Sequence, residues 1–287
     1  MISDMTAASK SKILKELIVS DDTLLVPDAF DAISAKLIES TGYKSVQCSG
    51  MSFSISSCCL NESELTLAEN LEITRKIVNA VEVPVMADGE DGYGTPERVG
   101  EVVNAFITTG VAGINVEDQI LSGTEEGRII DLEIMKEKIR SAKGSAKEAG
   151  NPDFVVNART DVIHTQPNRN KAIDEAILRA NEFIEAGADM AFVTYVNTRE
   201  ELAELKQQIN GPISISAGIP YLIPDFTIQD CIDLQVNRVS FPTALIFGSI
   251  QGMKMILEEV MSKKDLHELY RNDAFCTPNY VKDVLSP

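Results

Sequence analysis

The sequence predicts a (β/α)8 TIM-type barrel with a C-terminal helical extension. Three observations predict it. Short β-branched runs alternate with amphipathic helical stretches along nearly the whole chain, eight such units can be read, and helix start and stop signals fall between them. At 287 residues the chain is longer than a common single domain, yet parallel α/β barrels reach about 250 residues as one unit. We therefore expect a barrel catalytic domain over residues 1–262 and a helical tail over 263–287.

Taken in order, the strand candidates begin at Leu24 (LLVPDA), Ser45 (SVQCSG), Pro84 (PVMADGE), Gly113 (GINVED), Asp153 (DFVVNART), Met190 (MAFVTY), Pro212 (PISISA) and Arg238 (RVSFP). The segments Asp31 to Ser40, Leu65 to Ala80, Pro96 to Thr109, Leu132 to Ala149, Asn170 to Ala186 and Arg199 to Ile209 repeat apolar residues at three- and four-residue spacing, as helices do. Thr95 before Pro96 reads as a capping hydroxyl ahead of a first-turn proline, and Gly42, Gly110 and Gly187 stand where helices should end. A helix from about Thr243 to Ser262 and a polar tail follow the last strand. Periodicity alone leaves open whether the first strand meets the eighth or the sheet stays doubly wound and open.

The composition is that of a globular protein, 44% hydrophobic and 24% charged. Lys and Arg number 26 against 44 Asp and Glu, a net charge of -18 that repels a phosphate backbone or an anionic lipid surface. Neither nucleic acid nor membrane is expected as a partner. An anionic small substrate meets the same repulsion, so its site needs a local cation. The five cysteines are odd in number and form no CxxC pair, which points to a reducing, cytoplasmic setting. No apolar run approaches the roughly 18 residues of a membrane helix, and the N-terminus lacks the order of a signal peptide.

A parallel barrel builds its site at the carboxyl ends of its strands, and here those ends are acidic. The third strand closes in Asp88-Gly89-Glu90-Asp91-Gly92-Tyr93-Gly94, the fourth in Glu117-Asp118-Gln119 and the fifth in Arg159-Thr160-Asp161. Any one of these acids could cap a helix or face water. Converging, they repel one another unless a hard cation sits among them, and oxygen donors favour Mg2+ or Mn2+ over zinc. With only His164 and His267 in the chain, a multi-histidine zinc site is excluded. The glycines match neither GxGxxG nor a P-loop and read as tight-turn residues around the acids.

The segment Asp88 to Gly94 resembles the DxDxGYG signature of the phosphoenolpyruvate mutase and isocitrate lyase superfamily. Other segments agree in order: Pro27-Asp28-Ala29-Phe30-Asp31-Ala32 with the first strand and helix, Ser49-Gly50-Met51-Ser52 with the substrate-carboxylate loop, Val116 to Gln119 with the VED motif, and Asn157 to Asp161 with the ARTD motif. Val236 to Phe241 resembles the last strand of the phosphonomutase-like branch. The resemblance covers about residues 12 to 260. It implies Asp88 as the direct magnesium ligand, with Glu90 and Glu117 holding its water. It also implies backbone amides at Ser49, Gly50 and Met51 gripping the carboxylate of a 2-oxo acid, with Arg159 completing that contact. The resemblance further implies a homotetramer in which a C-terminal helix, here Thr243 to Tyr270, swaps between barrels.

Departures from the family pattern narrow the chemistry. The KKCGH loop whose cysteine serves the isocitrate-type lyases is replaced by Leu121 to Arg128, and the DKTNS-like segment of the mutases is absent. Glu90 stands where aspartate is usual. Asn61 stands at the substrate-binding position where the mutases place a catalytic aspartate, and an asparagine cannot accept a proton. The resulting expectation is lyase or decarboxylase cleavage of a small 2-oxo acid or related dicarboxylate through a metal-stabilised enolate, with Arg159 and Glu117 as catalytic residues. His164 is the candidate proton donor, with Glu125 and Glu126 as further candidates and Cys58-Cys59 within possible reach. Carbon-phosphorus chemistry, by a phosphonomutase or phosphonopyruvate hydrolase, and a non-catalytic 2-oxo acid binder are the alternatives.

Overall fold

The computed structural model describes residues 6–121, 123–217 and 223–286. Eight parallel strands, β1 Leu24–Ala29, β2 Val46–Cys48, β3 Val85–Asp88, β4 Gly113–Glu117, β5 Val155–Thr160, β6 Met190–Val193, β7 Ile213–Ser216 and β8 Arg238–Phe241, pair in sequence order. The barrel closes where β1 pairs with β8, from Leu24 opposite Arg238 to Pro27 opposite Phe241, which removes the open-sheet alternative.

Strand periodicity of two sends one set of side chains outward against the helices and the other inward. Outward residues such as Val46, Val85, Ile114 and Val156 pack with Phe106, Ile139 and Phe183, and on the other side Val193, Ile215 and Val239 pack with Leu202 and Leu205. Inward, the barrel changes character along its axis. Near the strand starts it is apolar: Leu24, Val26, Met86, Ala112, Val155 and Met190 meet Leu14 and Ile18 of the first helix, Ala7–Ile18. That helix, which the sequence reading did not assign, plugs the lower mouth, tied by Asn151 Nδ2 donating to Ser11 Oγ at 2.9 Å. Toward the strand ends the interior is polar, and the cavity opens there.

Helix signals hold with one exception. Gly42, Gly110 and Gly187 adopt positive φ of 96°, 94° and 107° at helix ends. Thr95 precedes Pro96 at the start of Pro96–Ile107, but its hydroxyl makes no capping bond to the helix backbone. It bonds the Glu97 carboxyl instead and holds that acid below its usual range. The helix after β8, Ala244–Lys263, buries only Ile246, leaving Met253, Met255, Leu257 and Met261 more than half exposed. Two short helices, His267–Arg271 and Pro278–Leu285, make the tail. Among the described residues no helix is long and apolar enough to cross a membrane.

Candidate active site

The strand-end loops surround a cavity of about 170 Å³ lined by Asp28, Gln47, Ser49, Met51, Glu62, Asp88, Asn115 and Arg159, with Phe192, Tyr195, Val196 and Pro224 toward its rim. Asp88 ends β3, and the chain must then turn inside a closed barrel. Gly89 allows it, because a Cβ there would lie 2.6 Å from the carbonyl oxygen of Asn115. Glu90 at φ 52°, Gly92 at 84° and Tyr93 at 58° complete the turn. Asn70 braces it by donating to the Asp88 carbonyl and to the Tyr93 hydroxyl, both at 3.0 Å. The Glu117 amide donates to the Glu90 carbonyl at 2.9 Å, bringing the ends of β3 and β4 together.

This backbone turns the Glu90 carboxylate inward against Gly50, where a Cβ would fall 1.9 Å from Oε1. Gly50 is thus fixed by space, not by φ. Gly50→Ala is expected to push Glu90 aside and weaken divalent-metal affinity about 10- to 100-fold, the range for disturbed outer-shell metal partners, as titration calorimetry would show. An affinity within twofold of the parent would show that Glu90 holds no part of a cation's shell.

Arg159 joins the acids. Its Nη1 lies 2.7 Å from Glu117 Oε2, and its Nη2 donates to Asp161 Oδ1 at 2.8 Å. Thr194 Oγ1 also donates to Asp161 at 2.8 Å. Asp118, by contrast, turns away from the cavity to Arg179 Nη1 at 3.2 Å and accepts the Asp161 amide, a structural role.

Burial dominates the electrostatics. It raises the carboxyl groups of Asp28, Glu90 and Glu117 well above their ordinary values, and that of Asp88 above its own, with mutual repulsion adding to it. Burial and Asp88 push Glu62 to about 7. Arg159 is lowered by burial but lifted more by Asp161 and Glu117, so it stays charged. Among the described residues, Asp28, Glu62, Asp88, Glu90, Glu117 and Asp161 face two guanidiniums, Arg159 and Arg238, with the Lys138 ammonium acting on Glu117 from outside the cavity. Glu90 Oε1 has no hydrogen-bond partner. An all-oxygen set with surplus negative charge and an orphaned buried carboxylate oxygen fits a hard divalent cation. Among the described residues no three acids stand so as to clasp an ion directly.

A carboxyl whose folded value is raised binds more protons folded than unfolded, so the metal-free protein loses stability as pH rises through that window. With Glu62 at about 7 and Asp118 at about 6, the loss should run from about pH 4 to 7. Urea midpoints in EDTA are expected to be lower at pH 7.5 than at 5.5, and Mg2+ is expected to restore the difference at 7.5. A metal-free midpoint that rises with pH would contradict the buried acid cluster.

The structure brings together Ser49, Gly50, Met51, Asp88, Glu90, Glu117 and Arg159 as the sequence suggested, with one change in the carboxylate loop. The Gly50 amide already donates to Asp88 Oδ2 at 2.9 Å, and the Met51 amide to the Glu62 carboxyl, so a substrate carboxylate must share or displace these bonds. Asn61 is not brought in: it is exposed, its amide nitrogens bond Glu64, and the next residue, Glu62, faces the cavity. The short 3-10 turn Glu62–Glu64 sets which side chain enters the cavity. His164 is exposed and stacks on Tyr195, centroids 4.4 Å apart, behind the cavity wall. Glu125 is exposed and pairs with Arg128, while Glu126 is exposed; of the replacement loop only Leu121 lines the cavity, and Ser122 lies outside the described residues. Cys58 is exposed and Cys59 half-buried, both off the lining. Asp28, Gln47 and Ser240 escaped the sequence reading, although alternation from Leu24 through Val26 already turns Asp28 inward.

A closed parallel barrel whose strand ends gather buried acids around one arginine defines an enzyme-type site on a TIM-type scaffold. Residues 14–261 match the family described as phosphoenolpyruvate phosphomutase, and the chain belongs to that family. It is 31% identical over 257 residues to 2,3-dimethylmalate lyase of Eubacterium barkeri, covering 87% of this chain and 84% of that one. It is 28% identical over 271 residues to 2-methylisocitrate lyase of Aeropyrum pernix, covering 92% and 85%. Among solved structures, a phosphonopyruvate hydrolase complexed with oxalate and Mg2+ superposes with a TM-score of 0.83 at 22% identity, covering 96% of this chain and 94% of that one, a likeness of fold. The relatives named as lyases place this chain among the enzymes of the isocitrate lyase and phosphoenolpyruvate mutase superfamily.

Proposed function

We propose that the protein is a magnesium- or manganese-dependent lyase that cleaves a carbon-carbon bond of a small 2-oxo acid or related dicarboxylate through an enolate. The observation that carries this reading is Arg159, the only cation among the described residues lining the cavity, set against Asp88 and Glu62 on the lining with Glu90 and Glu117 buried behind it. A divalent cation held at Asp88, when bound, supplies Lewis-acid stabilisation of negative charge on the substrate oxygens. The chain's own residues do the rest. Arg159, pinned by Glu117 and Asp161, presents a fixed guanidinium edge to the substrate carboxylate, and the Ser49-Gly50-Met51 amides approach it from β2. Phe192, Tyr195, Val196, Leu121 and Pro224 exclude water from the developing enolate. The names of the two lyase relatives support the same reaction class.

Oxalate, which mimics an enolate of a 2-oxo acid in charge and planarity, tests the site. It is expected to bind in micromolar or tighter fashion with Mg2+ and to lose about 100-fold or more in EDTA. Equal binding with and without metal would remove the cation from the account. Because His164 stands behind the wall, His164→Ala should leave turnover and its pH profile within about twofold. A loss beyond tenfold would restore it as proton donor.

We further propose a homo-oligomer assembled through the exposed apolar face of Ala244–Lys263, where Met253, Leu257 and Met261 are 55%, 69% and 71% exposed. The five free cysteines support a reducing, cytoplasmic setting.

A further inference from the structure

In a closed barrel of eight strands each strand faces the one four places on. Asp88 and Arg159 at the ends of β3 and β5, with Glu117 of β4 buried against Arg159, therefore look across the cavity at β7, β8 and β1. Three polar side chains from those opposite strands line the same cavity, Ser216, Ser240 and Asp28. They are contiguous. Ser216 pairs with Ser240 across β7 and β8, and Asp28 lies two residues beyond Val26, the β1 partner of Ser240.

Barrel interiors are ordinarily filled with branched apolar side chains, and a polar group taken from water costs free energy unless something bonds it. Ser240 and Asp28 are 3% and 5% exposed. One oxygen of Asp28 receives the Phe241 amide, while among the described residues Oδ1 has no partner and neither serine hydroxyl has a hydrogen bond. Arg238 lies beneath, donating to Ser214 Oγ at 2.8 Å and to Gln47 Oε1 at 2.6 Å, and it does not line the cavity. The far wall thus offers a carboxyl oxygen and two hydroxyls, and no cation among its described residues. A second carboxylate or a phosphonate placed there would meet Asp28 with no cation on the described lining, since Arg238 lies beneath, engaged with Asp28, Ser214 and Gln47, and an alkyl group would offer the wall no hydrogen bond. A hydroxyl suits the wall, because it donates to Asp28 while accepting from serine.

We infer that Asp28, Ser240 and Ser216 form a hydroxyl-binding subsite, and that the substrate is a 2-oxo acid carrying a hydroxyl on the fragment beyond the broken bond. This rests on the 2-oxo acid reading of the opposite wall. It assigns specificity to the β7, β8 and β1 side, leaving the metal and carboxylate contacts on β2 to β5.

The test uses acids of equal length, 4-hydroxy-2-oxopentanoate, 2-oxopentanoate and 2-oxoglutarate, with oxalate as a ligand that reaches only the first wall. Affinities with Mg2+ are read by thermal-shift titration for wild type, Ser240→Ala and Asp28→Asn. Wild type is expected to bind the hydroxylated acid about tenfold tighter than 2-oxopentanoate, the effect of one buried hydrogen bond, and 2-oxoglutarate more weakly than either. Ser240→Ala, a small change that the barrel should tolerate, is expected to narrow the hydroxylated-to-plain ratio to about twofold, and Asp28→Asn to reduce it. A wild-type ratio near one, or a ratio unchanged in both variants while oxalate still binds, overturns the subsite alone. Failure of wild type to bind oxalate overturns the 2-oxo acid reading and the subsite with it.

Discussion

Asp88→Asn is expected to lower metal-dependent turnover by about a thousandfold or more, while making the metal-free protein more stable. The two effects have one cause. Asp88 is buried beside Glu90, Glu62 and Glu117, and its carboxyl is raised first by burial, so its charge costs folding free energy when no cation is present. Asparagine keeps the shape and the contact with the Gly50 amide region but removes the charge. In the proposed reaction the same charge would hold the cation, and Lewis-acid stabilisation is worth several kcal/mol, each ~1.4 of which is tenfold in rate. Turnover with saturating Mg2+ and urea melts in EDTA, measured on one preparation, separate the two. A variant that loses both activity and metal-free stability would mean that Asp88 serves the fold instead.

Arg159→Met is expected to act in the opposite sense on stability and in the same sense on catalysis. Arg159 is the counterion of Glu117, 2% exposed, and of Asp161, 0% exposed. Breaking a buried pair by removing one partner leaves uncompensated charge and costs about 3–5 kcal/mol. Thermal unfolding should shift down accordingly, and turnover should fall about a thousandfold as the substrate carboxylate loses its fixed partner. Arg159→Lys is expected to recover part of the stability and little of the activity, since an ammonium cannot span Glu117 and Asp161 while presenting a planar edge. Full activity in the lysine variant would show that charge alone, without geometry, is what the site requires.

The barrel was legible because its signals are local and repeated: β-branched runs, amphipathic spacing and glycine stops are written into each unit. The plug helix Ala7–Ile18 was not, since its burial depends on meeting Leu24, Met86 and Val155 from distant strands. Within the site, Asp88, Glu90, Glu117 and Arg159 were legible because acids at strand ends have few structural uses in such numbers. Asn61 misled because a one-residue register within a short 3-10 turn decides which side chain enters the cavity, and nothing local distinguishes Asn61 from Glu62. His164 drew attention as one of two histidines, while its stacking on Tyr195 is a tertiary fact. Asp28, Ser216 and Ser240 share a wall only because β1 closes onto β8, and closure is the feature that periodicity could not decide.

The most direct measurement incubates the purified protein with oxaloacetate, alkyl malates, hydroxylated 2-oxo acids and phosphonopyruvate, with Mg2+ or with EDTA, and follows products by proton and phosphorus NMR. A 2-oxo acid and a second carbon fragment are expected from at least one carbon substrate, released with Mg2+ and not with EDTA. Turnover of phosphonopyruvate to phosphate or phosphoenolpyruvate with none of the carbon acids cleaved would contradict the lyase reading, as would cleavage that proceeds equally well in EDTA.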